Sequence, residues 1–226
     1  MIKHISLDLW NTLMTSNPEF SIKRINYLHS NYFQNISENQ LCLAIEEIGD
    51  IVDDINMSTG ISIKSEKMYQ MLFDKFNLKI SLQKANDIYA SLEILFLEFN
   101  PILLYNDKHL FNVFDKLLAN GISLNISSNT AFIKGETLRK SLKHLGLYKY
   151  FNFFIFSDEI NASKPSKIFF NNLIDKCKVI NVKKQHIIHI GDSKRADCEG
   201  ASNNNILSKH IDFKQESLVD FLNNNL

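Results

Sequence analysis

His4-Ile5-Ser6-Leu7-Asp8-Leu9-Trp10-Asn11-Thr12 comes almost at the start of the chain, and its reading decides the fold. Ile2, Ile5, Leu7 and Leu9 make residues 2–9 a short buried strand that delivers a single acid, Asp8, near its end. The same pattern returns after Pro101. Short apolar runs at 122–126, 153–156, 186–190 and 206–210 read as strands. Helical patterns at 108–120, 133–145, 166–178, 197–203 and 215–222 alternate with them. Gly121 and Gly146 stand where two of these helices should stop. Repeated strand–helix units with apolar strands predict a parallel sheet covered on both faces, an α/β core of Rossmann-like type.

Residues 15–98 read differently. Ile22, Ile25 and Leu28, then Leu41, Ile45 and Ile48, then Met68, Met71, Leu72 and Phe76, then Ile88, Leu92, Leu95 and Phe96 follow helical spacing. Strand alternation is missing there. The chain is therefore expected to divide into a core, residues 1–14 and 99–226, and an inserted domain of about four helices at 15–98.

Composition narrows the function classes. Lys plus Arg and Asp plus Glu each number 25, so no net charge favours nucleic acid or a membrane surface. No apolar run is long enough to span a bilayer, and the N-terminus lacks the apolar stretch of a signal peptide. Cys42, Cys177 and Cys198 are widely spaced and form no CxxC pair, as expected of free thiols in a cytoplasmic protein.

In open α/β sheets, sites form at the carboxyl ends of the strands. Asp8, Trp10, Asn11 and Thr12 follow the first strand, and Ser127, Ser128, Asn129 and Thr130 the second. Lys164-Pro165 follows the third, and Gly191-Asp192-Ser193 through Asp197 the fourth. A carboxylate at a strand end suits nucleophilic attack on phosphorus or carbon. Asp192 and Asp8 offer hard oxygens suited to Mg²⁺. Ser128, with the N–H groups of Asn129 and Thr130, is expected at a helix start, where anions bind. Lys164 is a point charge for a phosphate oxygen.

These residues, in this order, resemble the motifs of the haloacid dehalogenase-like superfamily. Ser6-Leu7-Asp8-Leu9-Trp10-Asn11-Thr12-Leu13 is similar to its first motif and Ile126-Ser127-Ser128-Asn129 to its second. Lys164-Pro165-Ser166-Lys167-Ile168-Phe169 is similar to the third, and Ile190-Gly191-Asp192-Ser193 through Asp197 to the fourth. The insert at 15–98 matches the family's C1 cap. The resemblance implies a hydrolase with Asp8, Ser128 and Lys164 as catalytic residues and Thr12 and Asn129 as substrate contacts. It further implies Mg²⁺ held by Asp8, the Trp10 carbonyl and Asp192, with Asp197 bracing from behind. The expected partner is a small phosphorylated metabolite.

One position departs from the pattern. Phosphatases of this family usually carry a second Asp two residues after the nucleophile, as proton donor and later as base. Here Trp10 stands in its place, and an indole offers only an N–H donor. An aromatic residue at this position also resembles the metal-free 2-haloacid dehalogenases, whereas Asp192 in the fourth motif keeps the metal reading. Three readings follow: a Mg²⁺-dependent phosphatase, a metal-free dehalogenase, or a phosphate-binding module with weak turnover. Arg24, His29 and Lys64 are candidate cap contacts, although exposed helix charges are commoner. Glu46, Glu47, Asp50, Asp53 and Asp54 read as a wet helix face.

Overall fold

The structure, a computed structural model, describes residues 1–225 of the 226-residue chain. Strands β1 (His4–Leu7), β4 (Ser123–Ser128), β5 (Phe153–Phe156), β6 (Ile187–Gly191) and β7 (Leu207–His210) form one parallel sheet in the order β5-β4-β1-β6-β7. β1 lies at the centre, with Leu7 opposite Ile126 of β4 and Ile190 of β6. Three strand ends therefore meet beside Asp8, at the crevice where open α/β sheets bind ligands. The all-buried pattern of β1 and β6 is that of strands covered on both faces.

Helices α5 (Asp107–Ala119), α6 (Gly135–His144), α8 (Lys167–Val179) and α10 (Leu218–Asn225) supply the cover. On one side Leu110, Phe114 and Leu117 of α5 and Leu138 and Leu142 of α6 pack on Ile5, Leu124 and Ile126. On the other, Phe169, Phe170 and Leu173 of α8 pack on Ile155 and Ile187. α5 ends at Gly121, whose φ of +74° is the left-handed conformation a glycine adopts without strain.

Four helices lie between β1 and α5: α1 (Pro18–Tyr32), α2 (Glu38–Thr59), α3 (Ser65–Lys75) and α4 (Leu82–Glu98). Asn17 and Ser81 cap α1 and α4 with side-chain oxygens, and Ser37 with Gln40 forms a capping box on α2. The insert has its own core of Leu28, Leu41, Ile45, Val52, Tyr69, Leu72, Ile88 and Leu92. It also interlocks with the sheet domain: Phe20 and Phe96 join the sheet-side core, while Phe132, in the loop after β4, joins the helical one. The chain leaves through β2 (Met14–Thr15) and returns through β3 (Ile102–Leu103), which pair antiparallel.

Several boundaries differ from the sequence expectation. The strand expected over 2–9 is confined to β1, because Asp8 onward turns toward the insert. The helix expected from 197 begins three residues earlier, as a π-helical turn over Lys194–Glu199, and only then continues as α9 (Gly200–Asn203). Ser193 starts it by accepting the Ala196 N–H at 3.0 Å. Residues 157–160 form a one-turn helix, α7 (Ser157–Ile160), with no counterpart in the sequence reading. No described helix is long and apolar enough to cross a membrane.

Candidate active site

Lys164 is the hub of the strand-end cluster. Although it is a lysine, only 2% of its surface is exposed. Its Nζ donates to Asp8 Oδ1 and to Asp197 Oδ1, each at 2.6 Å, and to the Ser127 carbonyl at 2.9 Å. A buried ammonium is costly unless such partners surround it. Burial opposes its charge, but Asp197 and Asp8 outweigh it and hold the ammonium above its usual range. Asn129 sets the position of this lysine: its Oδ1 accepts from Lys164 N at 2.7 Å and its Nδ2 donates to Lys164 O at 3.0 Å.

Asp197 closes the cluster from behind. Its Oδ1 also bonds His189 Nε2 at 2.8 Å, and its Oδ2 accepts the Ser193 N–H at 2.9 Å. His189 Nδ1 in turn shares a hydrogen bond with Ser6 Oγ at 3.0 Å. Burial would raise the Asp197 carboxyl, but Lys164 and His189 outweigh it and hold the group well below the usual carboxylate range. Gly191 makes room for this packing: a Cβ there would fall on the Asp197 carboxyl. The buried chain from Ser6 through His189 escaped the sequence reading, although a polar residue at an inward strand position is its signal.

Asp8 and Asp192 complete the cluster. Oxygens of Asp8, Asp192 and Asp197 lie within 4.8 Å of one another. Burial raises the Asp8 carboxyl, Lys164 draws it back, and Asp197 adds to the rise. Asp192 is pushed up to about 6 by burial and by the charges of Asp8 and Asp197. Three carboxylates thus face one ammonium. Hard oxygen donors with surplus negative charge fit a divalent cation such as Mg²⁺. Asp197 is committed to Lys164, His189 and Ser193, which leaves Asp8 and Asp192 as the freer ligands.

Asp8, Trp10, Ser128, Asn129, Lys164 and Asp192 all line one cavity of about 430 Å³ beneath the insert. Phe20, Arg24, Met57 and Phe96 form its roof, and Trp10 meets Phe96 edge-on at 6.5 Å. Two expectations fail. Thr12 does not line the cavity; it is fully buried, its Oγ1 without a partner, because the turn after Asp8 carries it into the core. The Thr130 N–H is not open to an anion, because it donates to Ser157 Oγ at 2.9 Å, and α6 begins only at Gly135. Of the three cap candidates, Arg24 reaches the cavity, whereas His29 and Lys64 do not line it.

Solved structures share this architecture. YfnB of Bacillus subtilis, in a magnesium-bound form, superposes with a TM-score of 0.71 at 16% identity, over 95% of this chain and 91% of its own. A 2-haloacid dehalogenase from Pseudomonas syringae gives 0.65 at 15% identity, over 96% and 89%. A HAD phosphatase from Thermococcus onnurineus gives 0.62 at 21% identity, over 93% and 86%. No curated protein matches the sequence. The sequence profile of the haloacid dehalogenase-like hydrolases matches residues 5–210, from within β1 to the end of β7 and across every side chain of the Lys164 cluster, and the chain belongs to that family.

Proposed function

We propose that the protein is a Mg²⁺-dependent phosphatase of a small phosphorylated metabolite, working through an aspartyl-phosphate on Asp8. The observation that carries this reading is Asp192 beside Asp8 and Asp197, a surplus of carboxylate that a dication satisfies. Asp8, Asp192 and the Trp10 carbonyl would hold the ion, which supplies charge neutralisation for the phosphoryl group when bound. Asp8 attacks phosphorus, the ester oxygen departs, and water then cleaves the acyl phosphate to release inorganic phosphate and restore the carboxylate. Lys164 counters the rise that burial gives the Asp8 carboxyl and offers its charge to a phosphoryl oxygen, and Ser128 offers its hydroxyl from the same wall.

One observation favours a second reading, a 2-haloacid dehalogenase: an indole, Trp10, lies next to Asp8 in a cavity walled by Phe20, Phe96 and Phe132. Turnover of an aryl phosphate and of a 2-haloacid, each with Mg²⁺ and with excess EDTA, separates the two. Phosphate release that stops in EDTA is the expected result. Aryl phosphate turnover that is undiminished in EDTA, or haloacid turnover alone, overturns the phosphatase reading.

A further inference from the structure

Arg24 lies in the roof of the cavity, opposite the Lys164 cluster, and the reaction at Asp8 gives it no work. Phe20 and Arg24 are four residues apart on α1 and so share one face. The guanidinium sits 5.4 Å from the Phe20 ring and 5.5 Å from the Phe132 ring. Two aromatic neighbours flank it, and the residue is half-buried. Among the described residues it joins no ion pair, and its Nε is buried without a hydrogen-bond partner.

The next residue inward repeats the pattern. Tyr69 meets the same Phe132 ring at 5.1 Å, and its buried hydroxyl also lacks a partner. Burial pushes this phenol up to about 12, while the charge of Arg24 and its hydrogen-bonding approach hold it back. Arg24 and Tyr69 approach each other, but a phenol supplies no counter-charge, and the guanidinium still lacks the anionic partner it takes best. The rest of the roof, Phe20, Met57 and Phe96 with Trp10 below, offers no charged side chain to provide one. Asp53 also borders the cavity, but it is solvent-exposed and forms no ion pair with Arg24.

We infer that Arg24 binds a second acidic group of the substrate, which is therefore a small phosphate ester bearing a carboxylate or a second phosphate at its far end. This rests on the phosphatase reading, which seats the first phosphoryl group at Asp8. A guanidinium fork pairs with either oxyacid through two parallel hydrogen bonds. A neutral tail would leave that cation unpaired, so the roof selects by charge.

Inhibition of aryl phosphate turnover in the full chain with excess Mg²⁺ tests the idea. Phosphonoacetate and its amide, carbamoylmethylphosphonate, have nearly the same shape and differ in one charge. The acid should inhibit at least tenfold more tightly than the amide. Methylenediphosphonate as a third probe shows whether carboxylate or phosphate is preferred. In Arg24→Met, which keeps the stem between the rings, the acid-to-amide ratio should fall to near one, and Arg24→Lys should keep part of it. The ratio is taken within one protein, so a change in folding or turnover does not move it. Turnover of the aryl phosphate with an acid-to-amide ratio near one in the native chain overturns the role of Arg24 alone. No aryl phosphate turnover and no phosphonate binding overturns the phosphatase reading with it.

Discussion

Replacing Lys164 with methionine keeps the length of the side chain and deletes its charge. Nζ then no longer satisfies Asp8 and Asp197, both 2.6 Å away, nor the Ser127 carbonyl. Breaking a buried ion pair by removing one partner costs about 3–5 kcal/mol, because the remaining charge has no compensation. For a chain of this size each kcal/mol moves the melting temperature by roughly 2–4 °C, so a fall of about 6–20 °C is expected. The loss has a pH signature. Without the ammonium, one buried carboxyl must take up a proton, and its folded pKa rises above the unfolded value. Such a group destabilises increasingly as pH rises through that folded pKa, so the deficit against the native protein should be larger at pH 8 than at pH 5. Thermal unfolding followed by circular dichroism in EDTA, where no cation replaces the lysine, measures both effects. The double variant Asp8→Asn with Lys164→Met removes one orphaned charge and should melt above the single variant. A single variant within 2 °C of native at both pH values, or a double variant no better than the single, refutes the charge-hub account.

Asp8→Asn should abolish aryl phosphate turnover and leave the circular dichroism spectrum unchanged; retained turnover would mean that another group is the nucleophile. With Trp10 in place of an acid, aryl phosphates should react faster than alkyl phosphates of similar size by about 10²–10⁴-fold, the usual worth of a positioned acid, and Trp10→Asp should narrow that gap. Equal rates on both esters would show that a proton comes from elsewhere, and Asp53 is the one carboxyl that the insert contributes to the cavity wall. His4 is buried between Ser123 Oγ, at 2.6 Å, and Asn125 Oδ1, at 2.8 Å, and burial pushes it down to about 4. The unfolded chain therefore binds this proton first, and stability is lost as pH falls from about 6.5 to about 4. The loss is at most about 3 kcal/mol, read as the difference in acid sensitivity between native protein and His4→Gln; equal sensitivity of the two would rule it out.

The core was readable because each of its units follows a local rule. β1 and β6 are apolar runs that end in Asp8 and in Gly191-Asp192, and Gly121 marks the end of α5. Elements fixed by distant partners were not readable. β2 and β3 are two residues each and exist only through their pairing, 89 positions apart at Met14 and Leu103. The π-helical turn at Lys194 lacks the 3.6-residue period on which helix reading depends. At the site, the order of motifs pointed to Asp8, Ser128, Lys164 and Asp192, all of which reach the cavity. Thr12 belongs to the same motif, yet the direction of a side chain in a tight turn is set by packing and not by motif order. The same holds for Arg24: helical spacing alone does not say which of the insert's charges faces the sheet, and that depends on how α1 rests on Phe132.

The pairing of β2 with β3 has an architectural consequence. Because Thr15 stands opposite Ile102 and the Leu104 N–H donates to the Leu13 carbonyl at 3.0 Å, the outgoing and returning chains are zipped into one tether. The chain thus enters and leaves the four helices through a single ribbon whose two ends are neighbours on the sheet domain. An insert attached in this way is a cassette: a longer, shorter or differently lined bundle can replace it without the host having to bridge a gap. Chain continuity between the two parts runs through this one seam, while Phe20, Phe96 and Phe132 lock them together by packing.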